Sequence, residues 1–146
     1  MIKYSLITGS TGLLGEQHAL ALAEKKFGLI LIDLDEKKLR LQAEKIKKLF
    51  NKSKVNFFVC DITQENKIIN LKNLLKKKHI MPEVLVNNAA LNPKMKNFSK
   101  KENTGTIENY NINLLKKELD VNLISAFTMI KHFGPFMATK KNGSII

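Results

Sequence analysis

The 146-residue sequence has no tryptophan, two tyrosines, three prolines, one cysteine and a single arginine, Arg40. One cysteine, Cys60, excludes a disulfide framework and a zinc site built from several thiolates. His18, His79 and His132 are scattered without ligand spacing, so no metal is expected. No stretch approaches the roughly 18 apolar residues that a bilayer span needs. The opening Met1–Ile7 segment also lacks the apolar run of a secretory leader. The chain therefore reads as cytoplasmic, with no membrane partner. Acidic residues are scarce as well: 13 against 25 basic ones leave a net charge of +12. Nucleic-acid readout favours arginine, whose planar fork makes bidentate contacts that lysine cannot. Here the excess is lysine, beside 15 Asn and 15 Ile, which marks a composition bias and not a selected patch. Residues 36–54 carry seven lysines and Arg40 between Leu39, Ala43, Ile46 and Leu49 at helical spacing, a solvated helix face. Nucleic acid is not expected as a partner.

With 44% hydrophobic and 26% charged residues, the chain can build a core, and 1–146 is expected to be one domain. Ile2–Ile7 reads as a buried strand. Leu13–Lys26 has helical spacing, with Leu14, His18, Ala21 and Lys25 along one side. Gly28–Ile32 is a second strand ending on Asp33, and Asp35 is placed to cap the basic helix that follows. Val55–Cys60 is the third strand. Thr63 is the expected cap of a helix carrying Ile68, Leu71 and Leu75, and Pro82 precedes a fourth strand, Val84–Val86. A helix from Asn113 to Phe133 is expected to end at Pro135, before a fifth strand in Gly143–Ile146. Apolar strands separated by helices imply parallel pairing with helices on both faces. The expected fold is α/β: a doubly wound parallel sheet of the Rossmann type, incomplete after the fifth strand. The irregular stretch Leu91–Asn111, with Pro93, Gly105 and four lysines, leaves strand four where such sheets bind ligands, so it is expected to touch substrate.

Thr8-Gly9-Ser10-Thr11-Gly12-Leu13-Leu14-Gly15 falls between the first strand and the first helix. In that context Gly9 permits a tight turn, Gly12 lets backbone approach a pyrophosphate, and Gly15 allows close packing of helix on strand. The pyrophosphate then meets the free N–H groups and positive dipole of the helix. Asp33, 18 residues after Gly15, is placed to accept hydrogen bonds from the adenosine ribose. A 2′-phosphate about 4 Å away would cost ~4 kcal/mol at an effective dielectric of 20. NAD is therefore expected over NADP, unless Lys37 or Lys38 compensates.

With this motif stand Asp61-Ile62 after strand three, Asn87-Asn88-Ala89-Ala90 after strand four, and Asp120-Val121-Asn122-Leu123 in the later helix. Together they resemble the short-chain dehydrogenase/reductase family over essentially the whole chain. The resemblance implies NAD(P)-dependent hydride transfer between a hydroxyl and a ketone of a small, sugar-like substrate. It places Asp61 at the adenine amino group, Ile62 on the ring, and Asn87, Ala89 and Ala90 along the cofactor cleft. Ser10, Thr11, Leu13 and Leu14 join the three glycines of the turn. Asn122 matches the helix asparagine of the family's catalytic tetrad, which holds a water of the proton relay.

Two departures qualify the match. Gly12 lies one place earlier than in the compact branch, the spacing of extended sugar-nucleotide epimerases, whereas the Asn87–Ala90 and Asn122 motifs follow the compact branch. The catalytic Tyr-x-x-x-Lys is absent: Thr8 stands at the lysine offset from Tyr4, and Leu114 at that from Tyr110. The catalytic serine would fall a few residues beyond Ile146. The resemblance thus implies the cofactor half of an enzyme, expected alone to be inactive, marginally stable and poorly soluble. Phe127, Ile130 and Phe133 are expected to form an uncovered apolar patch. Homo-oligomers are expected only of a complete enzyme. The alternatives are a non-catalytic dinucleotide-binding protein or gene remnant, and an extended-branch epimerase or dehydratase.

Overall fold

Five runs of apolar residues form strands: β1 (Tyr4–Thr8), β2 (Gly28–Asp33), β3 (Val55–Val59), β4 (Val84–Val86) and β5 (Ser144–Ile145). The computed structural model describes residues 2–92 and 107–146. Most of the stretch expected to touch substrate, including Pro93 and Gly105, lies outside the described residues. All strand pairings are parallel, in the order β3-β2-β1-β4-β5. The chain winds one way from β1 to β3, then returns to β4 on the other side of β1. That reversal opens a crevice at the carboxyl ends of β1 and β4.

Strand alternation sorts the core into two layers. Ile7, Leu29, Leu31 and Val86 face helices α1 (Leu13–Glu24) and α2 (Glu36–Leu49). Leu6, Ile30, Ile32 and Leu85 face α3 (Glu65–Lys77) and α5 (Ser125–Lys140). The apolar stripe Leu39, Ala43 and Ile46 is buried as its spacing predicts, and the Asp35 carboxylate caps α2 by accepting from the Lys38 amide at 3.1 Å. No helix among the described residues is long and apolar enough to cross a membrane.

Several elements differ from the sequence expectation. Strand β1 begins at Tyr4, and Ile2 is exposed. Helix α1 buries Gly15, Ala19 and Ala23, not the side carrying Leu14, because it packs too close to the sheet for large side chains. Thr63 does not cap α3: Gln64 is at the N-cap and its side chain makes no capping bond, while the Thr63 hydroxyl turns back to Asp61 at 2.7 Å. The last helix is longer than expected. Helix α4 (Ile112–Leu119) passes through a π-helical turn (Asp120–Ile124) into α5, which continues past Pro135. Pro135 forfeits one backbone bond, but Met137 beyond it is buried with Met129 and Phe133 and keeps the helix on the core. The helix ends instead at Lys141, with φ of 49°. There the Lys141 and Asn142 amides donate to the Ala138 and Met137 carbonyls, a Schellman closure. Phe133 is therefore a core residue, whereas Phe127 and Ile130 are exposed. Strand β5 pairs with β4 on one side; among the described residues its other side carries no strand, and Ile146 is 70% exposed.

Glu65 joins α3 to α5. One of its oxygens receives Lys131 Nζ at 2.9 Å and lies 2.7 Å from His132 Nε2. Hydrogen bonding to Lys131, then to His132, holds the Glu65 carboxyl below its ordinary value. A carboxyl depressed only in the folded state adds stability that is complete above the ordinary glutamate range and lost as pH falls through the depressed value. Glu65→Gln should accordingly flatten the acid side of the stability profile. Urea midpoints measured from pH 7 to pH 3 check this.

Candidate functional site

The turn leaving β1 is shaped by two glycines that accept no side chain. Gly9 has φ of 59°, and a Cβ there would lie 2.7 Å from Ala89 Cα. A Cβ on Gly15 would lie 2.3 Å from the Gly9 carbonyl oxygen, so α1 rests directly on the turn, as the motif predicts. The turn closes through the Gly12 amide, which donates to the Gly9 carbonyl at 3.1 Å. Gly12 is also the N-cap of α1 and brings no side-chain acceptor. The helix thus starts with its first-turn N–H groups uncapped by any side chain, at the rim of the crevice.

The crevice is a cleft of about 670 Å³. Gly9, Thr11, Gly12, Leu13 and Leu14 form one wall; Asp33, Leu34 and Lys38 form the end beside β2; Asp61 and Ile62 follow β3; Ala89 and Ala90 follow β4. Ten of the residues expected at the cofactor meet here. Ser10, Gly15 and Asn87 do not line the cleft. Ser10 is wholly buried beneath the turn, its amide donating to the Ile32 carbonyl at 3.0 Å and its carbonyl accepting from Gln42 Nε2 at 2.7 Å. Gly15 acts through packing.

The asparagine pair divides its work otherwise than expected. Asn88 braces the cleft: its carboxamide nitrogen donates to the Thr8 and Gly9 carbonyls at 3.0 and 2.9 Å. The Thr8 hydroxyl accepts from the Asn88 and Ala89 amides, each at 3.1 Å, and fastens β4 to β1 beyond their ladder. Asn87 instead donates its amide to the Ile146 carbonyl, and its Oδ1 is buried with no partner among the described residues. Successive residues leaving a strand point to opposite sides, so only one of the two can reach the turn. Asn88 was missed because the doubled asparagine gives no local sign of which faces β1. Gln42 was missed too, although a polar residue inside the Leu39–Ala43–Ile46 stripe is itself a signal.

The Asp33 carboxylate is tied to the turn. Its Oδ2 accepts from the Thr11 amide at 3.0 Å and the Thr11 hydroxyl at 2.6 Å, while Oδ1 accepts from the Leu34 amide at 2.8 Å. Lys38 Nζ is 3.8 Å from Asp35 on the same wall. Asp61 accepts from the Thr63 hydroxyl and amide and from Gln64; chiefly the Thr63 hydroxyl bond holds its carboxyl below the usual range, so it stays ionised. Burial pushes the Cys60 thiol up, which leaves it a poor nucleophile.

Asn122 lies in the π-helical turn, beside Val121, which does line the cleft. Its side chain grips the Leu91 backbone both ways, Oδ1 accepting from the amide at 2.7 Å and Nδ2 donating to the carbonyl at 3.1 Å. The Asn122 side chain is therefore engaged, although the residue is exposed. Neither tyrosine lines the cleft: Tyr110 donates to Glu118 at 2.6 Å, and Tyr4 begins β1 at the opposite end of the sheet.

Comparison with known proteins accords with this architecture. The family model of short chain dehydrogenases matches residues 3–146. Zerumbone synthase of Zingiber zerumbet is 24% identical over 144 residues, covering 99% of this chain and 50% of its own length. Mouse 17-beta-hydroxysteroid dehydrogenase 13 is 29% identical over 142 residues, 97% of this chain and 42% of its own. The chain thus spans about half the length of the relatives it matches. Among solved structures, a Brucella melitensis 3-oxoacyl-[acyl-carrier protein] reductase with bound NAD superposes with a TM-score of 0.82 at 22% identity, over 98% of this chain and 51% of that one. A metagenomic short-chain oxidoreductase in complex with NADP gives the same TM-score and identity, over 98% of this chain and 60% of that one. A doubly wound sheet, a glycine turn under an uncapped helix and a family match across nearly every residue converge: the chain belongs to the short chain dehydrogenase family.

Proposed function

We propose that this chain forms the dinucleotide-binding half of an NAD(H)-dependent oxidoreductase that interconverts a hydroxyl and a ketone on a small, sugar-like substrate. The observation that carries the reading is the start of α1, where the turn built by Gly9, Gly12 and Gly15 leaves the first-turn N–H groups of the helix without a side-chain cap, at the rim of a cleft closed at its far end by Asp33. The residues fit a nicotinamide dinucleotide. A Cβ at Gly9 or Gly15 would collide with the turn or its neighbour, and Gly12 supplies no acceptor that would compete with a diphosphate.

In this reading the Gly12–Leu14 backbone holds the diphosphate, Asp33 the adenosine ribose, and Asp61 with Ile62 the adenine. Ala89 and Ala90 leave room along the opposite wall. The dinucleotide supplies the hydride-exchanging ring. Asn122 fixes the backbone at Leu91, on the wall that leads toward substrate. A carbonyl that gains hydride also needs a proton from a positioned acid. Neither Tyr4 nor Tyr110 reaches the cleft, so residues 1–146 alone are proposed to bind dinucleotide without turnover. Solved neighbours bound to NAD and to NADP support the ligand class alone, and the preference for NAD(H) rests on Asp33.

Titrating the purified protein with NADH and NADPH, followed by cofactor fluorescence, tests the reading. NADH is expected to bind more tightly. Equal or tighter NADPH binding would overturn the Asp33 argument, and binding of neither would overturn the proposal.

A further inference from the structure

We infer that the amino end of the sheet is a docking surface for an anionic lipid bilayer. Two adjoining depressions of about 510 and 440 Å³ lie there and share Ser53 and Lys54. Tyr4, Gly28 and Val55, the first residues of β1, β2 and β3, line them, so this surface and the dinucleotide cleft are at opposite ends of the strands. Lys26, Lys47, Lys52, Lys54 and Lys78 line the pair, against a single carboxylate, Glu24. All five lysines are exposed. The lysine and arginine ion pairs among the described residues engage Lys38, Arg40, Lys45 and Lys131 instead.

Composition accounts for the number of lysines and not for their placement. The helices that return between parallel strands end here, and the negative dipole ends of α2 and α3 suit Lys47 and Lys78. That effect fades within the last turn, yet Lys52 and Lys54 lie beyond the C-cap of α2 at Phe50. Lys26 has φ of 63°, a left-handed conformation that favours glycine, and the chain keeps a lysine there. Between the charges stand apolar side chains that face water: Ile2 is 45% and Leu49 59% exposed, with Phe50 beside them. Cationic heads around protruding apolar groups match a bilayer surface, whose anionic headgroups overlie acyl chains. Nucleic acid offers nothing to Ile2 and Leu49, and its readout favours arginine. Docking of this kind uses no spanning helix, and none is found among the described residues.

Cosedimentation with vesicles tests the inference, with thermal midpoints in parallel. One set is phosphatidylcholine alone, the other phosphatidylcholine with an equal amount of phosphatidylserine. The wild-type protein is expected on the mixed vesicles only, and less of it as salt rises. Each lysine near such a surface contributes about fivefold in partitioning, so Lys52→Gln/Lys54→Gln should weaken binding about 25-fold. Lys116→Gln/Lys117→Gln removes the same charge from α4, which lines neither depression, and should weaken binding less than about twofold. Leu49→Ser keeps every charge and should weaken binding about tenfold, the scale of burying one leucine side chain. Ile2→Ser should act likewise; it lies outside every helix and strand and covers the case of a Leu49 variant that does not fold. A wild-type protein that stays off the mixed vesicles, equal losses in the two double variants, or full binding by both serine variants would overturn the inference. So would a Lys52/Lys54 variant that loses a mixed-sequence DNA duplex and keeps the vesicles, which would assign the surface to nucleic acid. Each of these results leaves the dinucleotide reading standing, because its cleft lies at the other end of the strands.

Discussion

Asp33→Ser is expected to raise affinity for NADPH relative to NADH by about two orders of magnitude. The Coulomb cost of a phosphate about 4 Å from a carboxylate is ~4 kcal/mol at an effective dielectric of 20, or nearly a thousandfold. The group is partly buried rather than enclosed, and salt at physiological strength screens part of that. Lys38 stands on the same wall and would turn from Asp35 toward a phosphate once the competing carboxylate is gone. The substitution also removes the acceptor that holds the Thr11 amide and hydroxyl. NADH binding should therefore weaken while NADPH binding strengthens. The ratio of the two dissociation constants at fixed salt is the measurement; an unchanged ratio would place the ribose elsewhere.

Gly15→Ala has the largest expected effect on the fold, because it sets two rules against each other. Alanine is the better helix former by about 1 kcal/mol. Its Cβ, however, would be 2.3 Å from the Gly9 carbonyl oxygen and 2.8 Å from Asn88 Nδ2. The first is backbone and cannot swing aside, so helix and turn must part. Forcing extra volume into such a contact costs about 1–3 kcal/mol, equivalent to a midpoint lowered by about 3–10 °C at this chain length. The same separation moves the uncapped end of α1 away from the cleft, so NADH affinity should fall more than tenfold even where the protein stays folded. A variant with a raised midpoint and intact NADH binding would show that α1 does not rest on the turn.

These contacts also explain which features could be read from the residues. The strands were legible because each is a short apolar run with a clear end, and Gly9, Gly12 and Gly15 were legible because their spacing matches a single geometric need. Asp35 announced itself as a cap by position. The face of α1 was not legible: burial there is decided by how closely the helix approaches β1, so small residues go inward and Leu14 faces the cleft. Thr63 suits a helix start by residue type, but its hydroxyl is taken by the competing bond to Asp61, and the helix begins after Gln64 instead. Pro135 is a sound stop signal locally, overridden by the burial of Met137 two residues later. Asn87 and Asn88 differ only in which side of the strand end they leave, which depends on register and not on residue type.

The cleft takes its two walls from segments that are neighbours in space and distant in the chain. Thr8 and Asn88 are separated by 80 residues, whereas β1 meets β2 across 24, from Tyr4 to Gly28. On the ribosome, β1, the glycine turn, α1 and β2 can come together while β4 is still unmade. The carbonyls of Thr8 and Gly9 then wait for the Asn88 carboxamide until some 80 further residues have been synthesised. Closing the longer loop costs only about 1 kcal/mol more in chain entropy, yet such distant pairings are the slow ones to find. The wall that Asn88 fastens is thus completed well after the glycine turn has been made. On the proposed reading, a dinucleotide present during synthesis would meet the glycine turn before the wall that Asn88 fastens in place.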